Sequence, residues 1–291
     1  MNFDVEYKRF RDLFNNDLAE YLSSIKNGVP ERLFDAISYS VVDGGKRVRP
    51  VLCYATAEML GLSLDEVKYY ALAIEFIHSY SLVHDDLPSM DNDDFRRGKL
   101  STHKKFGEAL GVLAGDSLLN LAIETALKKP SFSEKDISAL KILFYCSGIN
   151  GMIKGQVLDI ENERNNFKSQ DLLNDIFINK TSKLIVAPML IASLLAGKAY
   201  FDQINEFGTL LGILFQITDD ILDVEGSLLR IGKTPNKDAV LDKMTAIKVY
   251  GLDGAKEKAN ELYLKCKRIL ESIPRSEFLS SFTDKIYYRK S

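Results

Sequence analysis

From Leu210 to Val224 the chain spells a helix that is apolar in nearly every direction, with Leu210, Leu211, Ile213, Leu214, Ile217, Ile221 and Leu222. Its one polar face carries Gln216, Asp219, Asp220 and Asp223, spaced i, i+3, i+4 and i+7. A helix apolar around most of its circumference has to sit inside a large bundle. Carboxylates on such a helix face an interior cavity and persist there only beside cations. The same helical periodicity runs along the 291 residues, and alternating runs are hard to find. It predicts helices over about 3–26, 30–43, 48–61, 65–87, 104–128, 134–161, 169–197, 201–226, 238–249 and 252–272, with a short C-terminal segment. Gly44-Gly45 closes one helix, Ser63 with Glu66 forms a capping box for the next long one, Gly226 is a stop signal, and Asp253-Gly254 separates two late helices. No Pro-, Gly- or Ser-rich linker and no repeat divides the chain. The expectation is an all-α single domain over 1–291, a bundle of about ten or more helices.

A second acid cluster, His84-Asp85-Asp86-Leu87-Pro88-Ser89-Met90-Asp91, stands at another helix end. Pro88 biases Leu87 away from helix and leaves Asp85 and Asp86 in the last turn, preceded on the same track by Glu75, His78 and Leu82. The C-terminal end of a helix carries partial negative charge, so each carboxylate there costs ~0.3–1 kcal/mol. Neighbouring carboxylates repel by about 3 kcal/mol at 5 Å and an effective dielectric near 20. One such cluster alone reads equally well as a solvated helix end; two on separate apolar helices point to bound metal. All-oxygen donors with no His or Cys at ligand spacing favour Mg²⁺, or Mn²⁺ as the alternative. Asp93-Asp94 falls in a loop and reads as solvated charge.

Positive charge is concentrated in three places: Gly44-Gly45-Lys46-Arg47-Val48-Arg49-Pro50, Phe95-Arg96-Arg97-Gly98, and Lys180-Thr181-Ser182-Lys183. The first, alone, also reads as a helix cap with solvated cations. Arg contacts phosphate oxygens two at a time and Lys acts there as a point charge. Acids that hold a divalent cation, together with these bases, fit an organic diphosphate. No Gly-rich nucleotide loop, nucleophile elbow or glycosidase-type acid pair is present.

The 38 Lys and Arg nearly balance 41 Asp and Glu, a net charge of −3 that excludes a dedicated nucleic-acid binder. Cys53, Cys146 and Cys266 are too far apart for a disulfide framework or a CxxC site, which predicts a reducing compartment. Acids stand at the N-terminus where a signal peptide has Lys or Arg. The longest apolar run, Leu184 to Gly197, holds Pro188 and Ser193 and falls short of the roughly 20 residues of a membrane span. The expected protein is cytoplasmic, with no stable membrane association and no nucleic-acid partner.

On these motifs the sequence resembles the short-chain trans-prenyl diphosphate synthases, most closely the bacterial farnesyl diphosphate synthases. The matching segments are Gly44 to Pro50 (GGKRVRP), Asp85 to Gly98 (DDLPSMDNDDFRRG), Gly151 to Asp159 (GMIKGQVLD), Lys180-Thr181 and Phe215 to Asp223 (FQITDDILD). The resemblance implies an isoprenoid-synthase bundle around a central substrate cavity, as a homodimer. It implies that Asp85, Asp86 and Asp91 bind two Mg²⁺ on an allylic diphosphate and that Asp219, with Asp220 and Asp223 nearby, holds a third. It assigns Arg96, Lys180, Thr181, Gln216 and Lys233 to the allylic substrate and Lys46, Arg49, His78 and Arg97 to isopentenyl diphosphate. The implied reaction is head-to-tail condensation of isopentenyl diphosphate with dimethylallyl and geranyl diphosphate to farnesyl diphosphate, by ionisation of the allylic C–O bond. Tyr80 precedes Asp85 by five residues, about 7.5 Å along a helix, and in related enzymes an aromatic there stops the chain at C15; an ordinary core aromatic is the other reading.

Two segments depart from the family pattern. The run Gly232 to Asp238 lacks a Gly and gains Pro235, and Lys243-Met244-Thr245-Ala246 replaces a KSTYP-like run, which puts the substrate role of Lys243 in doubt. Arg289-Lys290 reads either as a tail that closes the isopentenyl site, as in relatives, or as a frayed end. The rivals are a synthase of C10 or C20 product, a terpene cyclase, which would not need Lys46, Arg49 and Arg97, and a non-catalytic partner subunit, which would not need both acid clusters.

Overall fold

The computed structural model describes residues 2–42, 45–165, 168–229 and 244–289. Apart from one two-stranded ribbon, regular structure among these residues is helical. Chain contacts divide it into two compact units, Asn2–Leu140 and Lys141–Ser291.

In the first unit, α1 (Phe3–Ile25) starts where Asn2 accepts hydrogen bonds from the amides of Asp4 and Val5 at 3.1 and 3.4 Å. It buries Phe10, Phe14, Leu18, Tyr21 and Leu22, one stripe at helical spacing. Helix α2 (Glu31–Val42) and α3 (Val48–Met59) flank the GGKRVRP loop. Helix α4 (Lys68–Asp85) is buried on almost every side and packs on α1, α2, α3 and α6 (Glu108–Leu127). Ser63 caps a short 3₁₀ turn, Leu64–Glu66, through the amide of Asp65 rather than opening α4 itself, which begins three residues later than expected. The stretch expected as one helix over 104–128 is cut at Gly107 (φ 95°) into α5 (Thr102–Phe106) and α6.

Helix α7 (Glu134–Ser147) spans the division between the units. The second unit then holds α8 (Met152–Asn165), α9 (Gln170–Ile176), α10 (Lys183–Leu195), α11 (Phe201–Leu229), α12 (Ala246–Glu271) and α13 (Glu277–Tyr287). The turn at 148–151 separates α7 from α8, because a Cβ on Gly151 would lie 2.0 Å from the Cys146 carbonyl oxygen. All twelve residues from Leu184 to Leu195 are buried, so the most apolar run is core, and Pro188 is tolerated within it. Helix α11 continues through Gly226 to Leu229, so Asp219, Asp220 and Asp223 lie within the helix and not at its end. Nothing meets a Cβ at Gly226 within 4 Å, and an isolated helical Gly weakens a helix without ending it. The break between the late helical segments falls at Gly251 (φ 72°, ψ 171°) and not at Asp253-Gly254. Among the described residues two helices are long and apolar enough to cross a membrane, α6 and the one through Gln170–Leu195; the second is 83% buried inside the fold.

Candidate active site

The GGKRVRP loop is built around an arginine that does not face solvent. Gly45 takes φ +100° and Arg47 takes φ +54°, a left-handed conformation that costs a non-Gly residue ~1–2 kcal/mol. The Arg47 side chain offsets that cost. Its Nη1 donates to Glu75 Oε1 at 2.7 Å, Nη2 to the carbonyls of Val41 and Val42 at 2.6 and 3.1 Å, and Nε to Asn15 Oδ1 at 3.2 Å. Both members of the Arg47–Glu75 pair are 3% exposed. The motif therefore presents two cations, Lys46 and Arg49, not the three its sequence suggests. Tyr7 of α1 donates its hydroxyl to the Lys46 carbonyl at 2.5 Å and fixes the backbone from the other side.

Arg49 points its Nε into the interior as a buried donor without a hydrogen-bond partner. Burial, opposed by Glu75 and helped by Arg97, pulls its pKa down to about 10. His78 on α4 is pushed well below its ordinary value by burial and by the guanidiniums of Arg49, Arg97, Arg47 and Arg96. Arg47 is already paired with Glu75 and Arg96 with Asp86, so the charge left for an anion beside this neutral imidazole is that of Arg49, with Lys46 on the same loop.

Arg96 and Arg97 reach this region from a ribbon, β1 (Phe95–Arg96) and β2 (Lys99–Leu100), closed by Arg97 and Gly98, both at positive φ. A two-residue turn of that kind matches the twist of an antiparallel pair. Arg96 donates Nε to Asp86 Oδ1 at 3.0 Å and Nη2 to the same oxygen, and lies 3.8 Å from Asp93. The Arg97 guanidinium packs on Gly45, where a Cβ would come within 2.9 Å. Asp94, expected as solvated charge, is exposed and pairs with Lys104 at 2.9 Å.

Helix α4 ends at Asp85, as Pro88 predicts, with Asp86 buried at the C-cap. The chain then folds back on the helix end: Asp91 N donates to the Asp85 carbonyl at 2.8 Å and Asp93 N to the Asp86 carbonyl at 3.1 Å. These bonds satisfy carbonyls that a helix end leaves open and return Asp91 to the acids that precede it. One turn back, Tyr80 is buried, its hydroxyl has no hydrogen-bond partner, and its ring meets the His84 ring edge-on at 5.9 Å. Burial and Asp85 raise the Tyr80 pKa to about 12. The far edge of the His84 ring abuts α6 at Gly115, where a Cβ would come 2.0 Å from its Nε2.

In the second unit the helix expected over 169–197 contains a π-helical turn, Phe177–Ser182, that holds Lys180 and Thr181. Lys180 Nζ pairs with the buried Asp159 of α8 at 2.5 Å. Two glycines let neighbouring helices close on the turn: a Cβ at Gly155 would lie 2.1 Å from Lys180 N, and one at Gly212 would lie 2.3 Å from Ser182 Oγ. Thr181 donates to Gln216 Oε1 and Gln216 Nε2 to Asp220 Oδ1, each at 3.2 Å, while Ala246 N donates to Asp220 Oδ2 at 2.7 Å. Burial, with the like charges of Asp219 and Asp223, pushes the Asp220 carboxyl up to about 7 against those hydrogen bonds. Asp219 pairs with Arg289, from beyond α13, at 2.8 Å.

Among the described residues no three carboxylate, imidazole or thiol groups form a cage for a metal ion unaided. A small hard cation is held by one or two carboxylates and completes its shell with water and substrate phosphate, which suits the donors of α4 and, taken by themselves, those of α11. Sequence spacing marked Asp86 as a metal donor and placed Glu75 on the same helix track, but it paired neither with an arginine and did not find Asp159; the structure pairs Glu75 with Arg47, Asp86 with Arg96 and Asp159 with Lys180. The readable signal for Asp159 is its i+4 relation to Gly155, which marks the contact face of α8. Gly44, Lys233, Asp238, Lys243 and Lys290 lie outside the described residues.

The polyprenyl synthetase family model matches residues 30–274. The chain belongs to the polyprenyl synthetase family. As a member it is 40% identical over 296 residues to a farnesyl diphosphate synthase of Haemophilus influenzae, covering 100% of this chain and 99% of that one. It is 41% identical over 269 residues to a chloroplastic geranylgeranyl pyrophosphate synthase of Capsicum annuum, covering 89% and 72%. Among solved structures, a geranyltransferase from Helicobacter pylori, complexed with magnesium and isoprenyl diphosphate, aligns with a TM-score of 0.80 at 31% identity, over 96% and 97% of the two chains. The all-α fold and the prenyltransferase class expected from the sequence are those of this polyprenyl synthetase family.

Proposed function

We propose that this prenyltransferase condenses isopentenyl diphosphate head-to-tail with dimethylallyl and then geranyl diphosphate, and releases farnesyl diphosphate. The observation that carries the reading is the second anion site: the buried, unpartnered Arg49 Nε, with Lys46 on the same loop and the Arg97 guanidinium packed against Gly45. A terpene cyclase, which takes one diphosphate, has no use for it. Lys46, Arg49, His78 and Arg97 hold isopentenyl diphosphate there, with Tyr7 and Arg47 fixing the loop. Arg96, Lys180, Thr181 and Gln216 receive the allylic diphosphate, joined in this reading by Lys233 and Lys243. Arg96 and Lys180 rest meanwhile on Asp86 and Asp159, which keeps each cation in place at little cost in free charge.

Asp85, Asp86 and Asp91, and Asp219 with Asp220 and Asp223, are the groups that hold Mg²⁺, three ions per site in this proposal. When bound, Mg²⁺ withdraws charge onto the diphosphate so that the allylic C–O bond ionises. The chain's own residues position the two substrates, supply fixed positive charge and exclude water from the cation that forms. The C2 proton is lost to the released diphosphate. Tyr80 forms the floor that stops elongation at C15.

A homodimer is proposed on α6. Its Val112, Leu113, Ile123 and Leu127 are 36–52% exposed on one face, with the polar Asp116 and Asn120 between the two apolar pairs, and a second copy covers that face. The protein is proposed to be cytoplasmic, and the whole chain 1–291 to act as one synthase domain.

The deciding assay mixes labelled isopentenyl diphosphate with dimethylallyl diphosphate and Mg²⁺, and separates the dephosphorylated products by length. A dominant C15 alcohol is expected. A C20 product keeps the elongation and refutes the Tyr80 floor. No elongation, with Mg²⁺ or Mn²⁺, overturns the reading in favour of a cyclase or a partner subunit.

A further inference from the structure

Arg289, near the C-terminus, is built into the acid helix instead of fraying. Its Nη2 donates to the Phe215 carbonyl and to Thr218 Oγ1, both at 2.6 Å, and stands 2.8 Å from Asp219 Oδ1. The guanidinium lies over the Phe215 ring, 4.5 Å from its centroid. The side chain is 10% exposed, and its Nε is a buried donor with no partner.

The approach of Arg289 is prepared upstream. Tyr287 stacks on Tyr263 of α12 at 4.4 Å, Tyr288 meets both rings edge-on, and Tyr287 donates to Asn260 at 3.2 Å. Asp284 of α13 accepts from Lys267 Nζ at 2.7 Å and from the Tyr263 hydroxyl at 3.0 Å. Thr218 donates back to its own helix at the Leu214 carbonyl, 2.9 Å away, which leaves a lone pair for Arg289. A terminus ordinarily frays unless it is tied down; this one is tied so that its cation meets a carboxylate beside Asp220 and Asp223. Exposed charge pairs do not need such support, and burying a guanidinium costs more than an exposed pair returns.

We propose that Arg289 is a placeholder cation for the acid face of α11: it neutralises Asp219 while no divalent cation is bound and gives up that carboxylate when one arrives. The inference rests on the reading of Asp219 as a cation ligand. Because both cations need the same carboxylate, their binding is linked with negative sign. Loss of Arg289 tightens the metal, and the metal in turn loosens the C-terminal segment by the same free energy. Thr218 is the positioning partner that holds Arg289 in place.

The test titrates Mn²⁺ alone into the full chain and counts free ion by electron paramagnetic resonance, with wild type, Arg289→Gln, Arg289→Lys, Thr218→Val, a chain ending at Tyr288, and Asp219→Asn. The expected result is Mn²⁺ binding about threefold to tenfold tighter in Arg289→Gln and in the shortened chain, with Thr218→Val in the same direction. Arg289→Lys stays near wild type, and Asp219→Asn weakens binding. Hydrogen exchange gives a second readout: Mn²⁺ speeds exchange of the 277–287 amides in wild type and leaves them unchanged in Arg289→Gln. A merely structural arginine would alter thermal stability and leave both readouts alone. Equal or weaker Mn²⁺ binding in Arg289→Gln and the shortened chain, with Asp219→Asn still impaired, refutes the placeholder and leaves the metal reading intact. Asp219→Asn binding as wild type does refutes both.

Discussion

Gly155→Ala adds one methyl group where α8 meets the backbone of the turn that holds Lys180. The new Cβ would stand 2.1 Å from Lys180 N, 2.6 Å from Lys180 Cα and 2.7 Å from the Asn179 carbonyl carbon. All three are backbone atoms, so no side chain can swing aside. Opening the closest contact to 3.4 Å, where ordinary van der Waals contact begins, moves α8 and the π turn apart by about 1.3 Å. Overpacking of this kind costs roughly 1–3 kcal/mol in stability. The larger effect falls on Lys180, whose place is set by Asp159 one turn along α8. A displacement near 1 Å at a substrate-positioning group costs on the order of 10²-fold in rate. The assay is steady-state elongation with the allylic substrate varied, beside thermal melting. The control is Gly226→Ala, the same change in a helix where nothing meets the Cβ within 4 Å, expected to stabilise by up to ~1 kcal/mol. Elongation by Gly155→Ala within twofold of wild type would show that the close approach of α8 does not position Lys180.

Glu75→Gln keeps the shape of the buried pair and strands the Arg47 charge, which should cost about 3–5 kcal/mol; melting that shifts by less than 2 °C would count against a structural role for the pair. Tyr80→Ala should move the product from C15 to C20 or longer, and Tyr80→Phe should leave it unchanged because the hydroxyl has no partner; an unchanged C15 product from the alanine variant removes Tyr80 from chain-length control. His78 is held neutral in the fold below its unfolded value near 6.5. The unfolded chain therefore takes up a proton first as pH falls, and this contribution, fully present above about 6.5, is lost below it. Urea unfolding between pH 5 and 7.5 should show a shallower acid decline for His78→Gln than for wild type; identical slopes would refute the assignment.

Much of this protein is legible without a structure because its signals are local. The end of α4 follows from Pro88, and the single-sided row of Gln216, Asp219, Asp220 and Asp223 follows from 3.6-residue periodicity. Grouping of acids and bases by type identifies diphosphate chemistry in the same way, since donor hardness and charge are properties of residues. Glycine was harder to interpret. Gly226 was expected to stop α11 and does not, while Gly155 and Gly212 carry tight contacts that no propensity reveals.

Which charge faces which is a tertiary matter. Arg47 and Arg49 are two residues apart in one basic run, yet one is locked to Glu75 and the other ends in an unpartnered donor. Arg96 and Arg97 are adjacent, and the ribbon turn sends one to Asp86 and the other onto Gly45. The π turn at 177–182 has no mark in its composition; it exists because α8 and α11 close on it through glycines. Arg289 meets Asp219 across 70 residues of chain. The sequence by itself determined an all-α prenyltransferase and the inventory of its charges. Only the tertiary structure decided which of those charges neutralise each other and which are left for a ligand, because pairing energy falls off with distance in space and takes no account of separation along the chain.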